Sequence, residues 1–245
     1  MITQGQSPRR TLDQTLAWTR VGTDLVLGQL TALSARQWDE PSLLPGWRRR
    51  ELAAHLAANA DAIGNLVHWA ATGVETPMYA SPQARAEGIA DGARRSPEEL
   101  IGWTRASAEA LAAAMTALTA AAWSHPVLTA QGRTVPASET PWMRAREVLV
   151  HAVDLGCGVG FSGLPADFLL ALGDDVCGKR GLNWTANADT LHGSPANLEV
   201  PSGAGDSSER IHGPLADVAA YLTGRPHGEL ATASGDPLPD LPPWL

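Results

Sequence analysis

The chain has 245 residues, 44% hydrophobic and 18% charged, enough to bury a core and too apolar for a disordered polymer. Its formal net charge of −8, without a sustained Lys/Arg block, argues against nucleic acid as a partner. No run approaches the ~18 apolar residues of a membrane span, and the first ten residues carry no apolar leader segment. Cys157 and Cys177 are the only cysteines and neither sits in a C-x-x-C, so this is not a disulfide scaffold. The expectation is a reduced, cytoplasmic, monomeric protein of two modest domains.

Four segments read as long helices. The first spans 8–36, opening at Ser7-Pro8 and carrying Leu12, Leu16, Leu25, Leu30 and Leu33, with Gly22 and Gly28 weakening it. The second spans 46–72, where Leu52, Leu56, Ile63, Leu66 and Ala70 form one stripe and His55 and Asn59 stand at its edge. A long Pro/Gly-containing connection, 73–97, follows. Ser96-Pro97-Glu98-Glu99 opens the third helix with an N-cap, a proline at N1 and first-turn acids; it continues through Leu100, Trp103, Leu111, Met115 and Leu118. After turn-rich 124–141 comes a fourth helix over 140–155, stopped by Gly156-Cys157-Gly158. Four helices with one long crossover suggest a bundle, in which metal sites form from facing side chains.

Beyond 158 the texture changes. A helix is expected over 165–179, strands over 182–186 and 197–201, and a last helix over 214–223 ended by Gly224 before Arg225-Pro226. The Pro-rich tail 237–243 reads as extended. The expected architecture is mostly α: a four-helix bundle over 1–158, then a small α+β C-terminal domain over 159–245.

The chemistry concentrates in Arg-Glu-Val-Leu-Val-His-Ala-Val-Asp, 146–154. At ~100° per residue, Glu147, His151 and Asp154 fall within about 60° on the helical wheel. The plain reading is a solvent-facing strip with a weak i,i+4 pair. Against it, the apolar arc of this helix is roughly twice the ~100° of a surface helix, which turns the narrow polar strip inward. His55, alone on an apolar stripe, can equally be a satisfied core residue. Two imidazoles and a carboxylate from two helices can hold one divalent metal with coordination positions left open.

Particular segments of the chain resemble a known family. They are Leu-Leu-Pro-Gly-Trp (43–47), His55 with Asn59-Ala60, His68-Trp69, and Thr-Gly-Val-Glu-Thr-Pro-Met-Tyr (72–79). The longest runs from Trp123-Ser124-His125 through 128–140 into 146–156. These are similar to the mycothiol-dependent maleylpyruvate isomerases, built on a DinB-like metal-binding four-helix bundle with a small C-terminal domain. The similarity is close over 38–156, fades over 157–210 and is weak to the C-terminus. It implies that His55, Glu147 and His151 bind one catalytic Zn2+. It also implies that Arg225, in the Gly224-Arg225 pair, is catalytically essential, where the residue alone would read as a cation near a helix C-terminus. The implied reaction is cis–trans isomerisation of maleylpyruvate to fumarylpyruvate in gentisate breakdown. Mycothiol is the implied cofactor and thiolate addition to the double bond the implied route, so neither cysteine is needed as nucleophile. The implied partners are a small anionic substrate and a low-molecular-weight thiol. Arg133, Arg144 and Arg146 are further anion-binding candidates, at least two of them read as solvated, and Asp154 a candidate to orient a ligand. The alternatives are a mycothiol S-transferase of the same superfamily and a non-catalytic metal-dependent binding module.

Overall fold

The computed structural model describes residues 10–201 and 208–242. Contacts divide the chain into two compact units, one spanning Leu12–Gly158 and the other holding the residues from Val159 onward. No helix among the described residues is long and apolar enough to cross a membrane.

The first unit begins with α1, Leu12–Ala32. Residues 8 and 9, where this helix was expected to start, lie outside the described residues. The helix also ends before 36, because Ser34 turns the chain. Its backbone N–H and hydroxyl both donate to Gln37 Oε1, at 2.9 and 2.8 Å. Of the five leucines noted in this segment only Leu30 is buried; the buried face is Thr15, Trp18, Gly22, Val26 and Leu30. Gly22 decides that rotation, since a Cβ there would overlap the Val148 side chain and stand 2.9 Å from Leu149 Cγ. Trp18 meets Trp142 edge-on, with centroids 5.9 Å apart.

Helix α2, Arg49–Thr72, starts where Glu51 Oε2 accepts the Arg48 N–H at 2.9 Å, three residues later than expected. It ends at Gly73, whose φ of 75° suits glycine. Leu52, Leu56, Ile63, Leu66 and Ala70 are all buried, as the stripe required. The 73–97 connection is not all loop: Ser81 caps α3, Pro82–Gly92, by accepting the Ala84 N–H at 3.0 Å. The same Ser-Pro start marks α4, Pro97–Thr116, where Ser96 and Glu99 cap each other reciprocally. Helix α4 buries Leu100, Leu111 and Met115, whereas Trp103 stays partly exposed and donates to Asp61.

A short helix α5, Ala120–Trp123, precedes the expected turn region, which holds a hairpin of β1, Pro126–Leu128, with β2, Thr134–Pro136. The strands pair antiparallel with Val127 opposite Val135. Helix α6, Thr140–Asp154, is buried on nearly all sides. Helices α1, α2, α4 and α6 form the bundle, α1 packing chiefly on α6 and α2 on α4.

The second unit runs α7, Ala166–Arg180; β3, Asn183–Thr185; α8, Ala188–Leu191; and β4, Ala196–Pro201. Then come β5, Ser208–Gly213; α9, Leu215–Leu222; and β6, Ala231–Thr232. Its antiparallel sheet has the order β3-β4-β5-β6. Ala196, Leu198 and Val200 alternate into the core, and α7 packs on α9. β5 and β6 were not expected: Ile211 is the only large apolar residue in β5, so the pair carries almost no alternation signal. Residues 237–242 form no helix or strand, and Pro239 accepts a hydrogen bond from the Tyr221 hydroxyl; residue 243 lies outside the described residues. The fold is mostly α, a four-helix bundle followed by a small α+β domain.

Candidate metal centre

His55 sits on the inner edge of α2, and Glu147 and His151 lie one turn apart on α6. Because α6 buries Val148, Leu149, Ala152 and Val153 on its other sides, its polar strip turns toward α2. The inward reading of that strip, rather than the solvent-facing one, matches this placement. His55 Nε2 stands 2.9 Å from Glu147 Oε2, and His151 Nε2 stands 3.4 Å from the same oxygen. One ligand atom from each of the three residues lies within 4.8 Å of the others. The imidazole rings are 5.2 Å apart at 80°, and Trp47 meets the His55 ring edge-on at 5.6 Å.

Two further residues fix the pair of helices. Asp154 is fully buried, and its Oδ2 accepts from His151 Nδ1 at 2.8 Å, leaving Nε2 to face Glu147. Arg144, one turn before Glu147, is 1% exposed; its Nη1 donates to the Leu56 carbonyl at 2.7 Å and to Asn59 Oδ1 at 2.8 Å. It ties α6 to α2 beside His55 and accounts for the buried Asn59. Arg144 is therefore no solvated arginine. Arg133 is exposed in the hairpin loop, and Arg146 lies over the Trp142 ring at 5.7 Å.

Burial lowers the affinity of His55 for a proton, and its contact with Glu147 only partly offsets this. Burial would raise the Glu147 carboxyl, but hydrogen bonds from His151 and His55 hold it well below the usual carboxylate range. His151 is also pushed down by burial, yet Asp154 and Glu147 outweigh this and lift it to about 9. Glu147 is thus a carboxylate at neutral pH, and the positive charge of the trio rests on His151. Burial brings Arg144 down to about 10, still charged at neutral pH.

The sequence reading missed Arg85 and Tyr79 at this site. Arg85, on α3, places Nη2 3.4 Å from His55 Nδ1, and its guanidinium lies 5.8 Å from the Tyr79 ring centre. The available signal was Ser81-Pro82, a helix start inside the supposed loop. Both cysteines are free; burial raises Cys157, and Cys177, 2% exposed, is pushed up to about 12. Neither offers a thiolate at neutral pH.

Arg225 follows α9 in the second unit. Gly224 turns there with φ 71°, the Arg225 N–H donates to the Ala220 carbonyl at 2.9 Å, and Nη1 donates to the Thr223 carbonyl at 2.6 Å. The residue lines a concavity of about 570 Å³ with Tyr221, Pro239 and Asp240.

The sequence profile of the mycothiol maleylpyruvate isomerase N-terminal domain matches residues 8–156. A crystal structure of the mycothiol-dependent maleylpyruvate isomerase is 38% identical, with a TM-score of 0.85 over 98% of this chain and 100% of that one. The chain belongs to the mycothiol-dependent maleylpyruvate isomerase family. A histidine-to-alanine mutant of that solved isomerase matches equally well in fold, at 37% identity and a TM-score of 0.85. Among curated proteins none matches. Family membership makes the chain an isomerase and sets aside the non-catalytic alternative.

Proposed function

We propose that this isomerase converts maleylpyruvate to fumarylpyruvate, a cis–trans change in gentisate breakdown, using one zinc ion and mycothiol. The observation that supports this best is the convergence of His55, Glu147 and His151 in the bundle of a chain that is 38% identical, over 98% of its length, to a solved mycothiol-dependent maleylpyruvate isomerase.

The residues fit a zinc ion. Both Nε2 atoms approach one oxygen of Glu147, and Asp154 on His151 Nδ1 leaves Nε2 as the donor, the outer-shell arrangement typical of metal-bound histidines. Two neutral imidazoles and one carboxylate would leave an open position. Zinc there would lower the pKa of a thiol, and mycothiol would supply the nucleophile whose reversible addition turns the double bond into a rotatable single bond.

The chain's own residues hold the geometry. Glu147 supplies the negative charge that offsets the ion. Asp154 fixes the orientation of His151, and Arg144 sets the spacing of α2 and α6. Arg225 is proposed to stabilise carboxylate or enolate charge, for which a guanidinium fork is suited.

The test is the conversion of maleylpyruvate by purified protein with and without mycothiol, before and after chelation, with metal content measured alongside. The expected outcome is isomerisation that needs both and regenerates the thiol. Activity without either sinks the mechanism, whereas stoichiometric loss of thiol identifies an S-transferase instead. Arg225→Lys is expected to lower kcat/KM without changing zinc content.

A further inference from the structure

Arg85, the cation beside His55, is not held by an acid: among the described residues no carboxylate lies within ion-pair distance of it. The acids of its own helix are engaged elsewhere: Glu87 accepts from Gln83 at 2.7 Å, and Asp91 pairs with Arg94. The polar side chains facing the Arg85 guanidinium are His55, through Nδ1 at 3.4 Å, and Tyr79.

That contact with His55 cannot persist in the metal-binding form. A neutral imidazole that gives Nε2 to a metal carries its proton on Nδ1, so Nδ1 becomes a donor. Arg85 is a donor only. Two donors then face each other, and of the two polar side chains facing it the guanidinium keeps only Tyr79 as an acceptor. His151 has no such conflict, because Asp154 accepts from its Nδ1. The asymmetry places at the rim of the trio a guanidinium with no carboxylate partner among the described residues, on a chain whose charge of −8 otherwise repels anions.

We propose that Arg85 binds a carboxylate of the small anionic substrate next to the metal trio, with Tyr79 backing the guanidinium, and that it is a substrate-binding residue of the reaction. The ligand class is a short-chain carboxylic acid that reaches the trio with its carboxylate in the planar fork of the guanidinium. This rests on the isomerase reading above for the identity of the substrate, but not for the existence of the anion site.

The test uses zinc-loaded full-length protein with maleate as a non-thiol probe, titrated calorimetrically against wild type, Arg85→Gln and Arg85→Lys. Maleate binding is expected to weaken roughly 10- to 100-fold in Arg85→Gln, the scale of one lost charge-assisted contact, and less in Arg85→Lys. Zinc stoichiometry should stay unchanged in both. In turnover, KM for maleylpyruvate should rise more than kcat falls, with KM for the thiol unmoved. Equal maleate affinity in Arg85→Gln, no saturable maleate binding by wild type, or loss of zinc from the variant each overturns the proposal; zinc loss would assign Arg85 to positioning His55. Maleate binding that depends on Arg85, in a protein that does not turn over maleylpyruvate, would support the anion site and refute the isomerase reading.

Discussion

Replacing Gly22 with alanine tests whether the closeness of α1 and α6 aims the trio. In an exposed helix a glycine-to-alanine change stabilises by about 1 kcal/mol, because alanine loses less backbone freedom. At Gly28 nothing lies within 4 Å of an added Cβ, so Gly28→Ala should gain close to that amount. At Gly22 the same methyl overlaps Val148 and crowds Leu149 Cγ at 2.9 Å, both side chains being fully buried. Overpacking of this kind costs about 1–3 kcal/mol. The helix term is common to both variants, so their difference isolates the packing cost, and Gly22→Ala should be less stable than Gly28→Ala by about 1–3 kcal/mol. Urea denaturation of both variants with zinc removed reads this gap directly. Val148 and Leu149 stand between Glu147 and His151 on α6, so relief of the clash must move both relative to His55. Zinc affinity, measured by competition with a chromophoric chelator, should therefore fall in Gly22→Ala and not in Gly28→Ala. Equal stability of the two variants, or undiminished zinc affinity in a clearly destabilised Gly22→Ala, would refute the reasoning.

Asp154→Ala should weaken zinc binding by about 10- to 100-fold in the same competition assay, since it removes the acceptor that orients His151; unchanged affinity would mean that packing alone orients the ring. In metal-free protein His151 titrates near 9 against an ordinary value of 6.5, so its protonation stabilises the fold fully below pH 6.5 and is lost as pH rises through 9. His55 is shifted below 6.5, so its opposing contribution is smaller and fades within about the first pH unit of that window. Urea midpoints of chelated protein should thus decline from pH 6.5 to 9.5, and a flat profile would show that Asp154 and Glu147 do not hold that proton. Cys177 should resist a thiol reagent at pH 8 in the folded protein and react in urea, and Cys157→Ser/Cys177→Ser should keep isomerase activity; rapid labelling of folded Cys177 or loss of turnover would contradict this.

The bundle was legible wherever one physical signal dominated. The α2 stripe and the Ser96–Glu99 caps are local patterns, and the structure repeats them nearly residue for residue. The leucines of α1 did not mark its buried face: Gly22, counted as a weakness in the helix, lies on that face where α6 comes too close for a Cβ. Helix α3 was hidden by Gly88 and Gly92, yet Gly92 belongs there, since a Cβ would lie 2.5 Å from the Trp103 ring and 3.1 Å from Ala54 Cβ. β5 escaped notice because its partner strand, not its own sequence, makes it a strand. In the site, the wheel of α6 correctly turned Glu147 and His151 inward. It could not reveal Arg144 as the tie to α2, because the acceptors at Leu56 and Asn59 are 88 and 85 residues away in sequence.

Three constraints meet on α6, each at a different turn and from a different direction. Arg144 holds it to α2 at its first half, the Gly22 contact seats Val148 and Leu149 against α1, and Asp154 clamps His151 near its C-terminus. Glu147 and His151 are therefore presented by an element with little freedom to shift. His55 is held differently: its helix is as deeply packed, but its second ring nitrogen meets Arg85, half-buried on α3, instead of a buried acid. The two histidines thus have distinct roles in the site's electrostatics. Asp154 and Glu147 raise the proton affinity of His151 against its burial, whereas burial lowers that of His55, with Arg85 at the rim adding a smaller push in the same direction. A small anion drawn to that cation would lie on the His55 side of the trio, so substitutions at Arg85 and at Asp154 should separate: the first acting on anion binding at constant zinc affinity, the second on zinc affinity itself.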